Sequence, residues 1–467
     1  IKIFFLITPA FAGMCLRIGV VSLRRSRPSP CRFYSAFPAL CRLSFFSFLL
    51  LSLTQFPAAG HTQPRPLALP LIKITPPPSP PRTIYVPFSH DITLAVPVAV
   101  GTPLQNATLV LDTGSELSWL RCNATDSPAT RFDPARSTSY APVPCSSPTC
   151  RTQTRDLVVP ASCDPRRHCH TSLSYADGSF AEVTISVDAF QIGGSGASGT
   201  VVFGCMESGQ SSSPGEDARN GGLLGMNRGA LSLVSQMALP SFSYCIPESD
   251  GAGVLLLGDA PSQLNYTPLV AGPSRSPNYD RLAYTVRLEG IKVAGEALPI
   301  PRSALEPDRT GAGQTMVDSG TQFTFLMGPV YGALRSAFLN RTGGVLRALD
   351  EPGFVFQGAM DLCYRVPRDG RALPPLPEVS MVFGEGAEMA VKGGERLLYA
   401  TGEVREGEAV HCFTFGNSDL LGVAASLIGH HHQQDKWVEF DVRRSRLGLA
   451  PSSCKWAAQK LGIAGPY

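Results

Sequence analysis

The sequence LVLDTGS at residues 109–115 sets the organisation of this chain, and a related sequence, TMVDSGT, occupies residues 315–321. Each is a short apolar run that ends in an Asp, followed by a small hydroxyl residue, a Gly and a second hydroxyl residue. A short apolar run bounded by a turn signal is typical of a buried strand, and Gly allows a tight turn after it. Asp112 and Asp318 lie 206 residues apart (318 − 112), roughly the size of one large lobe. We therefore expect two related strand-and-turn elements, one in each of two lobes.

Two carboxylates held close together cannot both ionise cheaply, so such a pair shares one proton. The charged member can take a proton from a bridging water while the neutral member protonates the carbonyl oxygen under attack. The sequence thus predicts amide hydrolysis by Asp112 and Asp318, without a covalent intermediate, a metal or another cofactor. The residues expected to support and orient this pair are Thr113, Gly114, Ser115, Ser319, Gly320 and Thr321. The alternative is that the two motifs are unrelated turns that close ordinary strands.

A second matched pair of motifs, GGLLG at residues 221–225 and SLIG at residues 426–429, follows the two Asp motifs. Gly225 and Gly429 lie 113 and 111 residues after Asp112 and Asp318 (225 − 112; 429 − 318). Nearly equal spacing in the two halves indicates an internal repeat and hence two similar lobes. Short helical segments are expected at corresponding places, residues 230–237 and 330–338.

The composition favours a β-rich globular protein, because charged residues make up only 16% of the chain while Gly (45) and Pro (41) are abundant. A chain of 467 residues is long enough for two or three domains. The net charge of +3 is too small to indicate a nucleic-acid partner. It is also unevenly distributed, because no Asp or Glu precedes Asp91 and the rest of the chain is net acidic.

Residues 1–60 are expected to form a leader rather than part of the fold. Basic residues precede the apolar run at residues 43–53, and small residues follow it, as in a signal peptide. The run is too short for a transmembrane helix. Because the segment has Arg and Ser but no acidic residue, a chloroplast transit peptide is the alternative to secretion into the endoplasmic reticulum or beyond.

The remaining chain divides into four expected parts. Residues 61–82 contain the sequence PPPSPP and are interpreted as a Pro-rich linker or short pro-segment. The two lobes are expected at residues 83–270 and 271–457, with a C-terminal tail at residues 458–467. We expect a monomer without a stable membrane anchor.

Thirteen cysteines occur in the chain, and ten of them follow the leader. An even number of cysteines behind a leader indicates an oxidising compartment and up to five disulfide bonds. Five of the ten lie at residues 122–170, which we interpret as a disulfide-tied insertion. Sequence alone does not fix the connectivity. The expected pairs are Cys122–Cys205, Cys145–Cys150, Cys163–Cys169, Cys245–Cys454 and Cys363–Cys412.

The sequence SLSYADGSF at residues 172–180 predicts a hairpin, because Asp-Gly is flanked by alternating residues. A mobile hairpin with a Tyr near its tip could close over a bound substrate and exclude water. A surface hairpin without that role is the alternative. The residues expected to contact substrate are Tyr175, Ala176, Asp177, Gly178 and Ser179, together with Trp119, which lies just past the first Asp motif.

Three adjacent histidines, His430, His431 and His432, raise the question of a metal site. Neighbouring side chains of a strand point to opposite faces, so the three could not share one ion. The sequence therefore favours a solvated turn over a metal site.

The sequences DTGSELSWLRC at residues 112–122 and VDSGTQFTFL at residues 317–326 resemble those of the pepsin-type aspartic endopeptidases. The resemblance extends over about residues 86–455 and is greatest to the plant nepenthesin-like branch, in particular to the members that promote cell survival. It implies an all-β fold of two lobes, each of the six-stranded barrel type, with a cleft between them. It also implies a catalytic pair of Asp112 and Asp318, a flap that carries Tyr175 with Trp119 behind it, and an extended peptide as substrate.

Some features depart from that branch: the insertion has fewer cysteines than is typical, and His430 occupies a position where Asn is usual. Catalytically silent relatives, such as inhibitors of microbial glycosidases, are the alternative. Those relatives usually lose an Asp motif or the flap Tyr, and this chain has all three. The sequence therefore predicts an active aspartic endopeptidase.

Overall fold

The computed structural model describes residues 66–75, 92–123, 130–193, 197–211, 220–248, 251–272, 276–369 and 372–463. The predicted leader, with its three cysteines, lies outside the described residues, and so does most of the Pro-rich segment. In the described parts of the chain, no helix is long and apolar enough to span a membrane.

β-Strands are the commonest regular structure in the described chain, and loops connect them. Strands β1 to β13 are Leu67–Ile74, Thr93–Val100, Gln105–Asp112, Trp119–Arg121, Ala141–Pro142, Ser162–Cys163, Cys169–Ser174, Phe180–Ile192, Ala197–Gln210, Gly222–Gly225, Phe242–Cys245, Gly253–Leu257 and Asn265–Pro268. Strands β14 to β28 are Thr285–Val286, Leu288–Val293, Glu296–Ala297, Gln314–Val317, Thr324–Leu326, Arg347–Ala348, Cys363–Val366, Val379–Phe383, Glu388–Val391, Leu398–Arg405, Glu408–Phe413, Phe415–Asn417, Ala425–Ile428, Lys436–Asp441 and Arg446–Pro451.

Helices are few and mostly short. Helices α1 to α5 are Pro148–Thr152, Leu233–Gln236, Gly328–Thr342, Gly394–Leu397 and Cys454–Lys460. Helix α2 lies within the segment predicted at residues 230–237, and α3 contains the segment predicted at residues 330–338. Single 3-10 turns occupy Pro134–Arg136, Gln153–Asp156, Arg302–Ala304, Gly384–Gly386, Ser418–Leu421 and His430–Gln433.

The strands form two lobes joined by a shared sheet. The N-terminal lobe contains the strand path β2-β3-β10-β4-β9-β8-β7-β6. That path continues through β1 into strands from the middle and the C-terminal part of the chain, in the order β13-β28-β27-β11-β12-β1. Three further sheets, β14-β17-β26-β18-β25, β16-β15-β21-β22 and β19-β20-β24-β23, form the C-terminal lobe. The predicted all-β, two-lobed fold is confirmed.

The two Asp motifs occupy corresponding places in the two lobes. Strand β3 runs parallel to β10, with Asp112 opposite Gly225, and β10 is also antiparallel to β4. Strand β17 runs parallel to β26, with Val317 opposite Ile428, and β26 is also antiparallel to β18. Each Asp loop therefore leaves the strand that lies beside the second repeated motif.

Aromatic side chains fill the core where the lobes meet. Phe242 of β11 stacks on Phe440 of β27 at a centroid distance of 4.6 Å, and Tyr284 lies 4.4 Å from Phe440. All three side chains are fully buried. Each such ring pair stabilises the fold by about 0.5–1.5 kcal/mol beyond the effect of burial.

Within residues 61–82, expected to form a Pro-rich linker or short pro-segment, the described part contains a strand. Leu67–Ile74 is strand β1, which pairs with β12 on one side and β2 on the other, and Leu69 and Leu71 are fully buried. The apolar residues at positions 67, 69 and 71 alternate as a half-buried strand requires, but the prolines that follow dominated the interpretation.

Five disulfide bonds join the ten cysteines. Three are the expected pairs Cys122–Cys205, Cys245–Cys454 and Cys363–Cys412. The pairs Cys145–Cys150 and Cys163–Cys169 were wrong, because the bonds are Cys145–Cys163 and Cys150–Cys169.

The physical reason is the pairing of two segments within the insertion. Pro144 forms a β-bridge with His168, and the backbone N–H of Cys169 donates to the carbonyl oxygen of Val143 at 2.8 Å. The segment before α1 therefore lies along the start of β7, so each cysteine meets a partner from another segment rather than its neighbour in sequence. As a result, Cys150 of α1 is tied to the strand that leads into the predicted flap.

The prediction of a solvated turn at His430–His432 was also wrong. The three rings are buried in the 3-10 turn His430–Gln433, with 2%, 6% and 0% of their surface exposed. Hydroxyl partners remote in sequence make this burial possible for His432, whose ring nitrogens lie 2.6 Å from Thr324 Oγ1 and 2.8 Å from Thr414 Oγ1. Among the described residues, the structure contains no group of three or more His, Cys, Asp or Glu side chains placed to hold a metal ion.

Candidate active site

Asp112 is the last residue of β3, and only 4% of it is exposed. One carboxylate oxygen, Oδ1, accepts a hydrogen bond from the backbone N–H of Gly114 at 2.7 Å. The other, Oδ2, accepts from the hydroxyl of Ser115. The turn after the strand thus fixes the orientation of the carboxylate with its own small residues.

Asp318 directly follows β17 and is equally buried, with 4% exposed. Its Oδ1 accepts from the backbone N–H of Gly320 at 2.9 Å, and its Oδ2 accepts from Thr321 Oγ1 at 2.6 Å. The two motifs therefore hold their carboxylates with the same pattern of donors.

A reciprocal set of hydrogen bonds joins the two Asp loops across the lobes. Thr113 N donates to Ser319 Oγ at 3.1 Å, and Ser319 N donates to Thr113 Oγ1 at 2.9 Å. Ser319 Oγ in turn donates to the carbonyl oxygen of Leu111 at 2.9 Å, and Thr113 Oγ1 donates to that of Val317 at 3.3 Å. Both hydroxyl residues are buried, so these bonds are shielded from water.

The two carboxylates face each other over glycines. A Cβ atom at Gly114 would lie 3.1 Å from Oδ1 of Asp112 and 3.1 Å from Oδ1 of Asp318, so these two oxygens are within about 6 Å of each other. A Cβ atom at Gly320 would lie 2.6 Å from Cγ of Asp112. A side chain at Gly320 would displace the Asp112 carboxylate, whereas one at Gly114 would crowd both carboxylates.

Burial and the neighbouring negative charge make Asp318 a weaker acid than usual. Loss of hydration first, and the charge of Asp112 second, raise the pKa of Asp318 to about 6. The hydrogen bonds from Thr321 and Gly320 oppose this rise but do not cancel it. Asp318 can therefore hold a proton in mildly acidic solution.

The predicted hairpin connects β7 to β8, with a turn at Tyr175–Ser179. The carboxylate of Asp177 accepts hydrogen bonds from the backbone N–H and the hydroxyl of Ser179, at 2.9 Å and 2.7 Å. Gly178 has a φ of 85°, a conformation that glycine adopts without strain. The indole N–H of Trp119 donates to the hydroxyl oxygen of Tyr175 at 2.7 Å.

Tyr175 stays neutral in this position. Burial first, and the charge of Asp112 second, raise the pKa of its hydroxyl above the ordinary value. Because its oxygen already accepts from Trp119, its proton is available to a ligand in the cleft.

The two carboxylates and part of the flap hairpin line one cleft. Its lining includes Asp112 and Tyr175 from the N-terminal lobe and Asp318 from the C-terminal lobe. The other predicted site residues in the lining are Trp119, Ala176, Asp177, Ser179, Gly320 and Thr321. The predicted residues outside the lining are Gly178 of the flap turn and Thr113, Gly114, Ser115 and Ser319 of the Asp loops.

Sequence reasoning missed several residues that hold the Asp loops from behind. Asn227 donates through Nδ2 to the carbonyl oxygen of Gly114 at 3.2 Å. Gln433 donates through Nε2 to the carbonyl oxygens of Ile428 and Asp318, at 2.7 Å and 3.4 Å, and its amide oxygen accepts from the hydroxyl of Tyr244. Both amides lie just after a repeated Gly motif, and that position was the signal available in the sequence.

Two family models match most of the described chain. The model described as Xylanase inhibitor N-terminal matches residues 95–259, and the model described as Xylanase inhibitor C-terminal matches residues 283–451. The boundary between them falls between the two lobes.

The chain is 57% identical over 410 residues to Aspartic proteinase PCS1 of Arabidopsis thaliana, covering 85% of this chain and 90% of that protein. It is 30% identical over 376 residues to Aspartic proteinase nepenthesin-2 of Nepenthes gracilis, covering 79% of each. The crystal structure of edgp has a TM-score of 0.61 at 19% identity, covering 84% of this chain and 96% of that one, a likeness of fold alone. By these similarities, the chain belongs to the plant pepsin-type aspartic endopeptidases, in their nepenthesin-like branch.

Proposed function

We propose that this protein hydrolyses peptide bonds with a water molecule activated by Asp112 and Asp318. The observation that supports this most strongly is the pair of buried carboxylates, whose Oδ1 atoms lie within about 6 Å of each other in a cleft. Burial and the charge of Asp112 raise the pKa of Asp318, which assigns Asp318 the neutral role and Asp112 the charged one.

In the first step, Asp112 takes a proton from the water as its oxygen attacks the carbonyl carbon, and Asp318 gives its proton to the carbonyl oxygen. The product of this step is a neutral tetrahedral diol. In the second step, Asp112 returns its proton to the amide nitrogen while Asp318 takes one from a diol hydroxyl. The C–N bond then breaks, and the pair is left with its single proton. The donors from Gly114, Ser115, Gly320 and Thr321 keep both carboxylates in position throughout.

The substrate is an extended peptide that lies in the cleft between the lobes. The flap turn lines this cleft, and its Tyr175 hydroxyl would donate to the bound chain. Closure of the flap would exclude water other than the attacking molecule. Because both carboxylates come from one chain, a monomer is sufficient for activity.

Two observations bear on the class of function and on the compartment. Relatives at 57% and 30% identity are named proteinases, which does not favour the alternative of a silent binding protein. Five disulfide bonds among the described residues support an oxidising compartment, and we propose the secretory pathway.

The proposal is tested by a peptide-cleavage assay of the full chain from pH 3 to 7, with and without pepstatin. We expect activity on the acid side of neutrality that pepstatin abolishes and that Asp318→Asn removes. Activity that is insensitive to both would refute the mechanism. Absence of activity at every pH, from protein that is folded by circular dichroism, would refute the assignment as a peptidase.

A further inference from the structure

The 3-10 turn His430–Gln433 holds the loop that carries Asp318. The backbone N–H groups of His430 and His431 donate to the carbonyl oxygens of Thr321 and Gln322, at 2.8 Å and 2.9 Å. Gln433 donates to the carbonyl oxygens of Ile428 and Asp318 as described above. The position of Asp318 therefore depends on this turn.

Hydrogen bonding fixes His432 as a neutral ring. The hydroxyl of Thr414 donates its single proton to the carbonyl oxygen of Arg396 at 2.6 Å, so it can only accept from Nε2 of His432, at 2.8 Å. His432 Nε2 therefore carries the proton, and Nδ1 accepts from the hydroxyl of Thr324 at 2.6 Å. A second proton on Nδ1 would face a hydroxyl group that is already oriented as a donor, so it breaks this arrangement.

Among the residues that the structure describes, His431 has no carboxylate partner that would stabilise a charged ring. Within the described residues, neither of its ring nitrogens makes a hydrogen bond, and it packs at 5.3 Å from the ring of Phe323 and 5.5 Å from that of His432. A charge on this ring would be buried, which is unfavourable unless a counter-charge is present.

The charged groups around the two rings are mostly basic. They are Lys73 of β1, Arg396 of α4 and Lys436 of β27, with Asp435 and Glu248 as the acidic groups. Both carboxylates are engaged by the guanidinium of Arg396, at 3.0 Å and 3.1 Å. Within the described chain, neither His431 nor His432 forms an ion pair with a carboxylate.

These surroundings disfavour the charged form of each ring. Loss of hydration first, and the charge of Lys73 second, lower the pKa of His431 to about 4, although the carbonyl groups of Glu395 and Arg396 oppose the shift. Burial first, and the positive charges of His431 and Lys436 after it, lower the pKa of His432 well below its ordinary value. Both rings are therefore neutral in the closed turn and can be protonated once it opens.

We propose that His431 and His432 make the turn His430–Gln433 an acid-sensitive support of the Asp318 loop, which opens as the two rings take up protons. Opening removes the hydrogen bonds that the turn makes to Thr321, Gln322 and Asp318. The Asp318 loop would then lose these hydrogen bonds at acidic pH. The carboxylate pair itself needs one proton, which acidic solution supplies, so the two effects oppose each other. The inference concerns the stability of the turn and does not depend on the proposed catalytic chemistry.

Linkage gives the sign and the size of the effect. The open turn binds more protons than the closed one between about pH 6.5, the ordinary pKa of histidine, and about pH 4. The equilibrium constant for opening therefore increases as the pH falls. With two rings involved, it increases by about 100-fold per pH unit in that window, and with one ring by about tenfold.

The test is hydrogen–deuterium exchange of the full chain, read from the peptides that cover residues 426–438 and corrected for the intrinsic rate at each pH. For the wild type we expect opening to increase about 100-fold per unit between pH 6 and 4.5. His431→Phe keeps an aromatic ring without ionisation and should reduce this dependence to about tenfold. His168→Gln, at a partly exposed histidine of the insertion, is the control and should retain the wild-type dependence.

A pH-independent opening constant in the wild type would overturn the proposal, whatever the variants do. The same follows if His431→Phe retains the full wild-type dependence, or if His168→Gln reduces it. If His431→Phe does not fold, the wild-type slope and the ring signals of ¹³C-labelled histidine decide. Ring signals that show two histidines still neutral at pH 5 support the proposal. Ring signals that show fewer than two neutral histidines at that pH overturn it.

Discussion

The raised pKa of Asp318 suits the proposed chemistry but makes the fold less stable near neutral pH, where this buried carboxyl group is charged. Its pKa is about 6 in the fold and about 3.9 in an unfolded chain. The folded state therefore binds its proton more tightly, and this favourable contribution is complete below about pH 4 and is lost as the pH rises through 6. A shift of about 2 units corresponds to about 3 kcal/mol in the free energy of unfolding.

Asp318→Asn should therefore stabilise the protein at pH 7 but not at pH 4. The amide is neutral at both pH values and nearly the same size, so it removes the cost of a buried charge. The measurement is the thermal unfolding midpoint of the two proteins at each pH, relative to Asp280→Asn as a control at an Asp beyond the pair. A midpoint at pH 7 no higher than that of the wild type would contradict the assigned electrostatics.

At Gly320, the loop that carries Asp318 lies very close to the side chain of Asp112, and a substitution there tests this close approach. A Cβ atom at this position would lie 2.6 Å from Cγ of Asp112, so Gly320→Ala must displace that carboxylate. A displacement of about 1 Å can reduce activity about 100-fold, and we expect a loss of kcat/KM of that order with the fold retained. Gly332→Ala on helix α3, where the added methyl group meets no atom within 4 Å, should leave kcat/KM unchanged. Equal activity of the two variants would refute the close approach.

At the residue scale, the sequence indicated the Asp motifs because their chemistry is local. Each carboxylate is held by donors two and three residues further along the chain, so the motif contains its own hydrogen-bond partners. The burial of His432 could not be predicted in the same way, because its partners Thr324 and Thr414 are 108 and 18 residues away. A polar residue whose hydrogen-bond partners lie far away along the chain is therefore predicted to be exposed.

At the scale of elements, the hydrogen bond from Trp119 to Tyr175 ties the flap to the strand β4 behind it, and Tyr175→Phe removes this bond. The indole N–H of the half-buried Trp119 would then lose its acceptor, at a cost toward the lower end of the range of about 1–3 kcal/mol for a buried donor. We expect kcat/KM to fall by about tenfold and amide exchange in residues 172–182 to accelerate. Tyr364→Phe removes a buried hydroxyl that bonds Thr342 in the C-terminal lobe, and it should change neither quantity. An unaltered flap in Tyr175→Phe would show that the bond is unimportant.

Elements were predictable where their signal was contained in a short window. The flap hairpin was identified from Asp-Gly and its alternating neighbours, and the paired Asp and Gly motifs gave the arrangement of β3 with β10 and of β17 with β26. Strand β1 was missed, because its alternation precedes a run of prolines and its partner β12 lies about 190 residues away. The disulfide pairs of the insertion were predicted wrongly for a similar reason, because the partner of each cysteine depends on how two segments lie side by side.

At the scale of the whole molecule, the shared sheet joins the two lobes, and one disulfide bond ties the C-terminal helix α5 to this sheet. Cys245 of β11 bonds Cys454 of α5 across 209 residues. A cross-link over so long a loop restricts the unfolded chain strongly, and removing a native disulfide typically costs about 2–5 kcal/mol. Replacing both cysteines by Ala should lower the thermal unfolding midpoint while kcat at 25 °C is retained. An unchanged midpoint would mean that the sheet alone holds the lobes together.

Asp112 comes from one lobe and Asp318 from the other, and the two carboxylates share one proton in the proposed mechanism. They should therefore act as one unit. The most direct measurement is kcat/KM for Asp112→Asn, Asp318→Asn and the double variant on one peptide at one acidic pH. Residues that act as a unit show non-additive losses. We predict that each single variant loses about 10³–10⁴-fold and that the double variant loses no more than either. Substantial activity in one single variant, or losses that multiply in the double variant, would contradict the account.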